Sequence, residues 1–336
     1  MRHRRGMLEA SLALLMLIGA IPAARSQGNA AQTETAPQIE TVLVVGEQPG
    51  PALWKVSRDG NVLWIVSTFG PLSERVIWRS RQVEAILKDA RELYTEPNFE
   101  TYLAQTRQGM RLMERAIQND AGKTLQDVLP PDLYASFDAL RLEYAGGGRR
   151  FEEFRPFVAV QRLKERAMRN LSLSGDGGIR TKILALARRN RVKVRSLTLI
   201  DNKAARPAML DLDAIPREMD IPCMRAQLAR LATELNEAAQ RANAWAGGDV
   251  AELRRLITPA HVASLEACQD LLMSSKYFQD GAIEAYRQAD VALREALARN
   301  PSTVALMPIE VLFRPDGFLA RLRRDGYRVE EPDSSL

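Results

Sequence analysis

The tightest constraint on this chain lies at residues 54–66. Trp54-Lys55-Val56-Ser57 and Val62-Leu63-Trp64-Ile65-Val66 are two strand-like runs joined by Arg58-Asp59-Gly60-Asn61. Asp-Gly between such runs is a strong hairpin signal, because the tight turn that joins two strands needs positive φ at its centre. The fold must therefore be built around an antiparallel pair near its amino end.

The remaining elements follow from periodicity. Val83, Ile86, Leu87, Ala90 and Leu93 mark a buried helical face between Ser80 and Tyr94, and Glu92 to Glu96 reads as a short strand ended by Pro97. Residues 99–170 read as helical, with breaks at Pro130-Pro131 and Gly146-Gly147-Gly148. Ile179 to Asn190 is a further amphipathic helix that leads into a strand over Val192–Leu197. Leu228, Leu231, Leu235, Ala238, Ala242 and Trp245 form the apolar seam of one long helix closed by Gly247-Gly248. Asp249 with Glu252 reads as a capping box for the next helix. Ile283, Tyr286, Leu293, Ala296 and Leu297 mark another helix. A strand over Thr303–Phe313, a helix from Gly317 to Arg324 and a strand at Tyr327–Val329 close the pattern. This order predicts an α+β or α/β fold: a mixed β-sheet, made of the hairpin and later strands, covered by helices, with a helical insertion at about residues 205–300.

Three arginines in the first five residues precede an apolar stretch from Ala10 to Ala24. That stretch is too short to span a bilayer but suits a secretory signal, and Ala24-Arg25-Ser26 places cleavage before Gln27. The alternative is a short anchored helix. Residues 27–50 then read as a polar linker that includes a short β-rich run, Thr41–Val45, followed by one domain over residues 51–331. These features predict a periplasmic or secreted protein with no transmembrane segment in the mature chain. Removing residues 1–26 takes away four arginines and Glu9, which lowers the net charge from +5 to +2. The positive charge left is interspersed with Asp and Glu, which argues against nucleic-acid binding. Only His3 and His261 are histidines, and removal of residues 1–26 would leave His261 alone, which argues against a multi-histidine zinc site. Cys223 and Cys268 are the only cysteines. In an oxidising compartment they allow a single bridge, whose loop would contribute roughly 4 kcal/mol. Two buried free thiols are the alternative.

Pro51-Ala-Leu-Trp-Lys-Val, Val62 to Leu72 and Trp78-Arg-Ser resemble the start of the TraB/GumN family. Asn243-Ala-Trp-Ala-Gly-Gly-Asp249 and the tail from Val304 to Val329, with its Pro315-Asp316-Gly317 turn, continue the resemblance. The better-characterised relatives, the Tiki proteases among them, are metal-dependent hydrolases. The resemblance implies a Gly-x-x-His motif after the hairpin, a glutamate after the second strand, a mid-chain glutamate and a second Gly-x-x-His near the end. A divalent metal needs such a set of donors to hold and activate water. In this chain those positions fall on Gly70, Glu96, Thr198 and Glu310.

One position thus keeps its glutamate, one carries another possible ligand, and two lack a ligand. The favoured reading is a non-catalytic binding or scaffold protein with a protein or peptide partner and no cofactor. The competing reading is a divergent metal-dependent hydrolase that uses Glu96 and Glu310. Ser67-Thr68 offers hydroxyls but no accompanying base, and Trp54, Trp64, Trp78 and Trp245 read as core or cleft-lining residues. Amino-terminal sequencing of the exported form should begin at or near Gln27; a soluble cytoplasmic protein that retains Met1 would overturn the signal assignment.

Overall fold

The computed structural model describes residues 50–73, 78, 81–101, 107–175, 178–201, 210–211, 213–257, 267–268, 271 and 274–332. The expected signal and cleavage site, the Thr41–Val45 run and His261 lie outside the described residues. In chain order the first elements are β1 (Leu53–Arg58), β2 (Asn61–Thr68), β3 (Leu72–Ser73), α1 (Arg81–Asp89), β4 (Glu92–Tyr94) and β5 (Asn98–Thr101). Next come α2 (Arg107–Ile117), α3 (Leu125–Val128), α4 (Pro131–Ala145), α5 (Pro156–Asn170), β6 (Leu173–Ser174), α6 (Ile179–Arg189), β7 (Lys193–Arg195) and β8 (Thr198–Asp201). The chain continues through α7 (Asp220–Asn236), α8 (Ala238–Ala246), α9 (Val250–Leu256), α10 (Lys276–Arg299), β9 (Ser302–Pro308), α11 (Ile309–Phe313), α12 (Phe318–Arg324) and β10 (Arg328–Glu330).

A six-stranded mixed sheet runs in the order β10-β1-β2-β9-β4-β7. Its antiparallel part is β10-β1-β2; the hairpin turn places Asp59 at φ 52° and Gly60 at φ 84°, as its Asp-Gly sequence predicts. From β2 onward the sheet is parallel, with Val62 to Thr68 paired to Ser302 to Pro308, and β4 set between β9 and β7. Trp54, Val56, Leu63, Ile65, Leu93, Val304, Ala305 and Leu306 are fully or nearly fully buried there. Leu87 of α1, Ile183 of α6 and Leu293 of α10 pack into the same core. A second core lies among α3, α4, α5, α7 and the start of α8, around Phe137, Leu163, Met224 and Leu231.

Four expectations about element boundaries are corrected. The final long strand stops at Pro308, which has no N–H for the ladder, and residues 309–313 turn into α11 with Ile309 and Leu312 inward. The seam from Leu228 to Trp245 belongs to two helices that part at Glu237, although every seam residue stays buried. The segment after Pro97 begins as a strand, β5, whose partner is β8. The strand expected over Val192–Leu197 is only Lys193–Arg195 and is exposed throughout, so its alternation does not mark a buried face. On α10 the buried stripe is Ala285, Ala289, Leu293, Ala296 and Leu297, while Ile283 and Tyr286 face outward. Asp249 caps α9 by accepting from the Glu252 N–H, and Cys223 and Cys268 form a disulfide across a separation of 45 residues.

At the amino end of β4, Glu92 is buried and accepts from Arg195, Arg299, Asn300 and the Tyr94 hydroxyl. Burial alone would raise its pKa, but hydrogen bonds from Arg299, Asn300, Arg195 and Tyr94 outweigh it and hold the carboxyl at about 2. A depressed folded-state pKa gives stability that is present above the ordinary glutamate range and lost as pH falls from about 4.5 towards 2. Because Arg195 and Arg299 are half-exposed, the contribution is about 2 kcal/mol. Glu92→Gln should flatten the acid limb of the stability profile between those values in denaturant titrations at stepped pH; an unchanged limb would remove Glu92 as its source.

Candidate functional site

Parallel strands deliver the residues at their carboxyl ends to one edge of a sheet, and open α/β sheets take their ligands at that edge. Gly70 lies two residues past β2, Glu310 two past β9, Glu96 two past β4 and Thr198 three past β7. Since β2, β9, β4 and β7 are consecutive neighbours, all four positions fall along one edge. At roughly 4.8 Å per strand the outer two strands stand about 14 Å apart. Only long side chains on the outer strands could reach a shared point, and Gly70 and Thr198 do not have them. The chain thus brings four backbones together but only two carboxylates.

Each position is held differently. Gly70 packs directly on Gly175, which follows β6: a Cβ built on Gly70 would lie 1.4 Å from the Gly175 carbonyl oxygen. Its φ is not in the left-handed region, so the constraint is close approach rather than backbone conformation. Phe69 beside it is buried, and the buried Arg241 guanidinium lies 6.0 Å from the centre of its ring. Thr198 opens β8 opposite Asn98, and its N–H donates to the Ser196 hydroxyl. Glu310 stands half-buried in the first turn of α11, where its charge reaches the Tyr286 phenol.

Glu96 is the most enclosed of the four, with 7% of its surface exposed. Its Oε2 lies 2.7 Å from an Arg180 terminal nitrogen in the first turn of α6, an ion pair whose angles fall outside hydrogen-bond geometry. Two residues on, Lys182 donates to the Trp78 carbonyl and its ammonium sits 4.3 Å from the centre of the Trp78 ring. Trp78 meets Trp245 edge to face at 5.2 Å, and the Trp245 indole N–H donates to the Ser67 carbonyl. Trp54, Trp78 and Trp245 are core residues, while Trp64 is half-buried. Ser67 is wholly buried and its hydroxyl makes no hydrogen bond, so it is not presented as a nucleophile.

The TraB/PrgY/gumN family model matches residues 52–331, well over half of the sequence. The chain belongs to the TraB/PrgY/gumN family. No curated protein and no solved structure matches it. The metal implied by resemblance to the family's hydrolases finds a poor donor set at this edge. The first position has neither a side chain nor the space for one, Thr198 is short, and Glu96 is already ion-paired. Among the described residues, no group of three or more His, Cys, Asp or Glu is placed to hold a metal ion.

Sequence reasoning missed Gly175, Arg180 and Lys182. The single signal available was the glycine-rich run Gly175 to Gly178 directly before a helix carrying basic residues in its first turn. Gly70→Ala should destabilise the fold by about 2–4 kcal/mol, since a backbone carbonyl must move to admit the methyl group. Urea denaturation measures this, and a loss below about 0.5 kcal/mol would show that the two backbones are not in contact.

Proposed function

We propose that this chain is an exported, non-hydrolytic member of the TraB/PrgY/gumN family that acts by binding a protein or peptide partner. The observation that carries the reading is the Gly175 carbonyl lodged where a Gly70 side chain would project. A residue that cannot bear any side chain cannot bear a ligand, so a principal donor of a hydrolytic site is lost sterically as well as chemically. Two carboxylates, one already committed to an arginine, fall short of the six or more oxygens that Mg²⁺ or Ca²⁺ requires. They also lack the nitrogen or sulfur that favours zinc.

Export is supported by the arginine-rich start with its short apolar stretch, and by the Cys223–Cys268 bridge, which suits an oxidising compartment. No helix of the described residues is long and apolar enough to cross a membrane. The partner reading rests on an intact fold around an edge that has lost its donors.

Protein purified without chelator should contain no stoichiometric transition metal by elemental analysis. About one zinc, manganese or cobalt per chain, released by both Glu96→Ala and Glu310→Ala, would replace this reading with that of a hydrolase with unusual ligands.

A further inference from the structure

We infer that Arg180 is the resident cation of the sheet's carboxyl edge: its guanidinium neutralises Glu96 and thereby withholds that carboxylate from any divalent ion. The inference rests on the non-hydrolytic reading above and deepens it, because it names the group that has taken the cation's place.

A buried carboxylate must be compensated or its burial is costly. The Glu96 side chain is 8% exposed, and the charge that meets it is Arg180 at 2.7 Å. An arginine side chain is a cation tethered to the backbone, whereas a metal ion would exchange. Its backbone is fixed as well. Ile179, Ile183 and Ala187 sink α6 into the main core, and Lys182 ties the same helical turn to Trp78. Gly175, five residues before Arg180, rests against Gly70. Gly175 and Arg180 therefore act on two of the four edge positions: backbone at Gly70 and charge at Glu96.

Arginine also fits better than lysine would. A guanidinium is planar and weakly hydrated, and it spreads its charge over several N–H groups. About half of the Arg180 side chain remains exposed, so the pair closes the carboxylate without burying a second full charge.

The test uses the full chain as wild type, Arg180→Ala, Arg180→Lys, Glu96→Gln and the Arg180→Ala/Glu96→Gln double variant, with Mn²⁺ as the probe. Arg180→Ala should lower the melting temperature by about 4 °C, and the double variant should fall less than the sum of its singles. Mn²⁺ titration followed by electron paramagnetic resonance should show Arg180→Ala binding at least tenfold tighter than wild type, a gain absent from the double variant. Should Arg180→Ala fail to fold, Arg180→Lys keeps a charge without the planar fork and should show a smaller gain of the same sign. Additive melting shifts, or Mn²⁺ affinity unchanged in every variant, would overturn the assignment. Wild type that already binds Mn²⁺ tightly and in stoichiometric amount would instead sink the non-hydrolytic reading on which the inference rests.

Discussion

Everything in this fold depends on the parallel pairing of β2 with β9, which joins Val62–Thr68 to Ser302–Pro308 across most of the chain. Closing a loop of that length costs about 5 kcal/mol in chain entropy. Burying a large aliphatic side chain returns about 1.5–3 kcal/mol, so Leu63, Ile65 and Leu306 between them offset the closure. The pairing also sets the site. Once β9 lies beside β2, and β4 takes the other side of β9, the residues after each strand must emerge on one edge. The four positions line that edge because of topology, whatever residues occupy them.

The helical section between the strands is held by different means. Arg155 and Asp220 are completely buried and joined by two hydrogen bonds of 2.9 and 2.7 Å, and Arg155 also donates to the carbonyls of Ala116 and Ile215. Such a pair adds little net stability over an apolar packing, yet losing one partner strands a buried charge and costs about 3–5 kcal/mol. Its use is in register. It fixes the start of α5 against the start of α7, and Cys223, one turn further along α7, carries the disulfide. These helices are thereby tied at neighbouring points while their shared core forms around Phe137 and Met224.

Local chemistry made much of this architecture legible. The Asp59-Gly60 turn, the seam from Leu228 to Trp245 and the Asp249 cap each follow from a few neighbouring residues whose physical requirement is specific. The misplaced boundaries have equally local causes that periodicity hides. Pro308 ends a ladder inside a run that otherwise reads as a strand, and Ile283 looks like a core residue until the alanines of α10 prove to line the buried stripe. The edge itself was legible only as positions. Gly70 against Gly175 and Glu96 against Arg180 are contacts between residues far apart in sequence, and neither member of either pair carries a pattern that names the other.

The two buried carboxylates around β4 show how differently one residue type can be settled within a few positions. Glu92, at the amino end, has partners on both oxygens, supplied by two arginines, an asparagine and a tyrosine, and its low pKa follows from that set. Glu96, at the carboxyl end, has a single guanidinium on Oε2, close in distance but poorly aligned as a hydrogen bond. In a low-dielectric setting a fully satisfied group rigidifies its surroundings, whereas a partly satisfied one leaves interaction energy unspent. Glu92 therefore belongs to the scaffold. Glu96, at the carboxyl edge beside Arg180, is charge-compensated without being fully hydrogen-bonded.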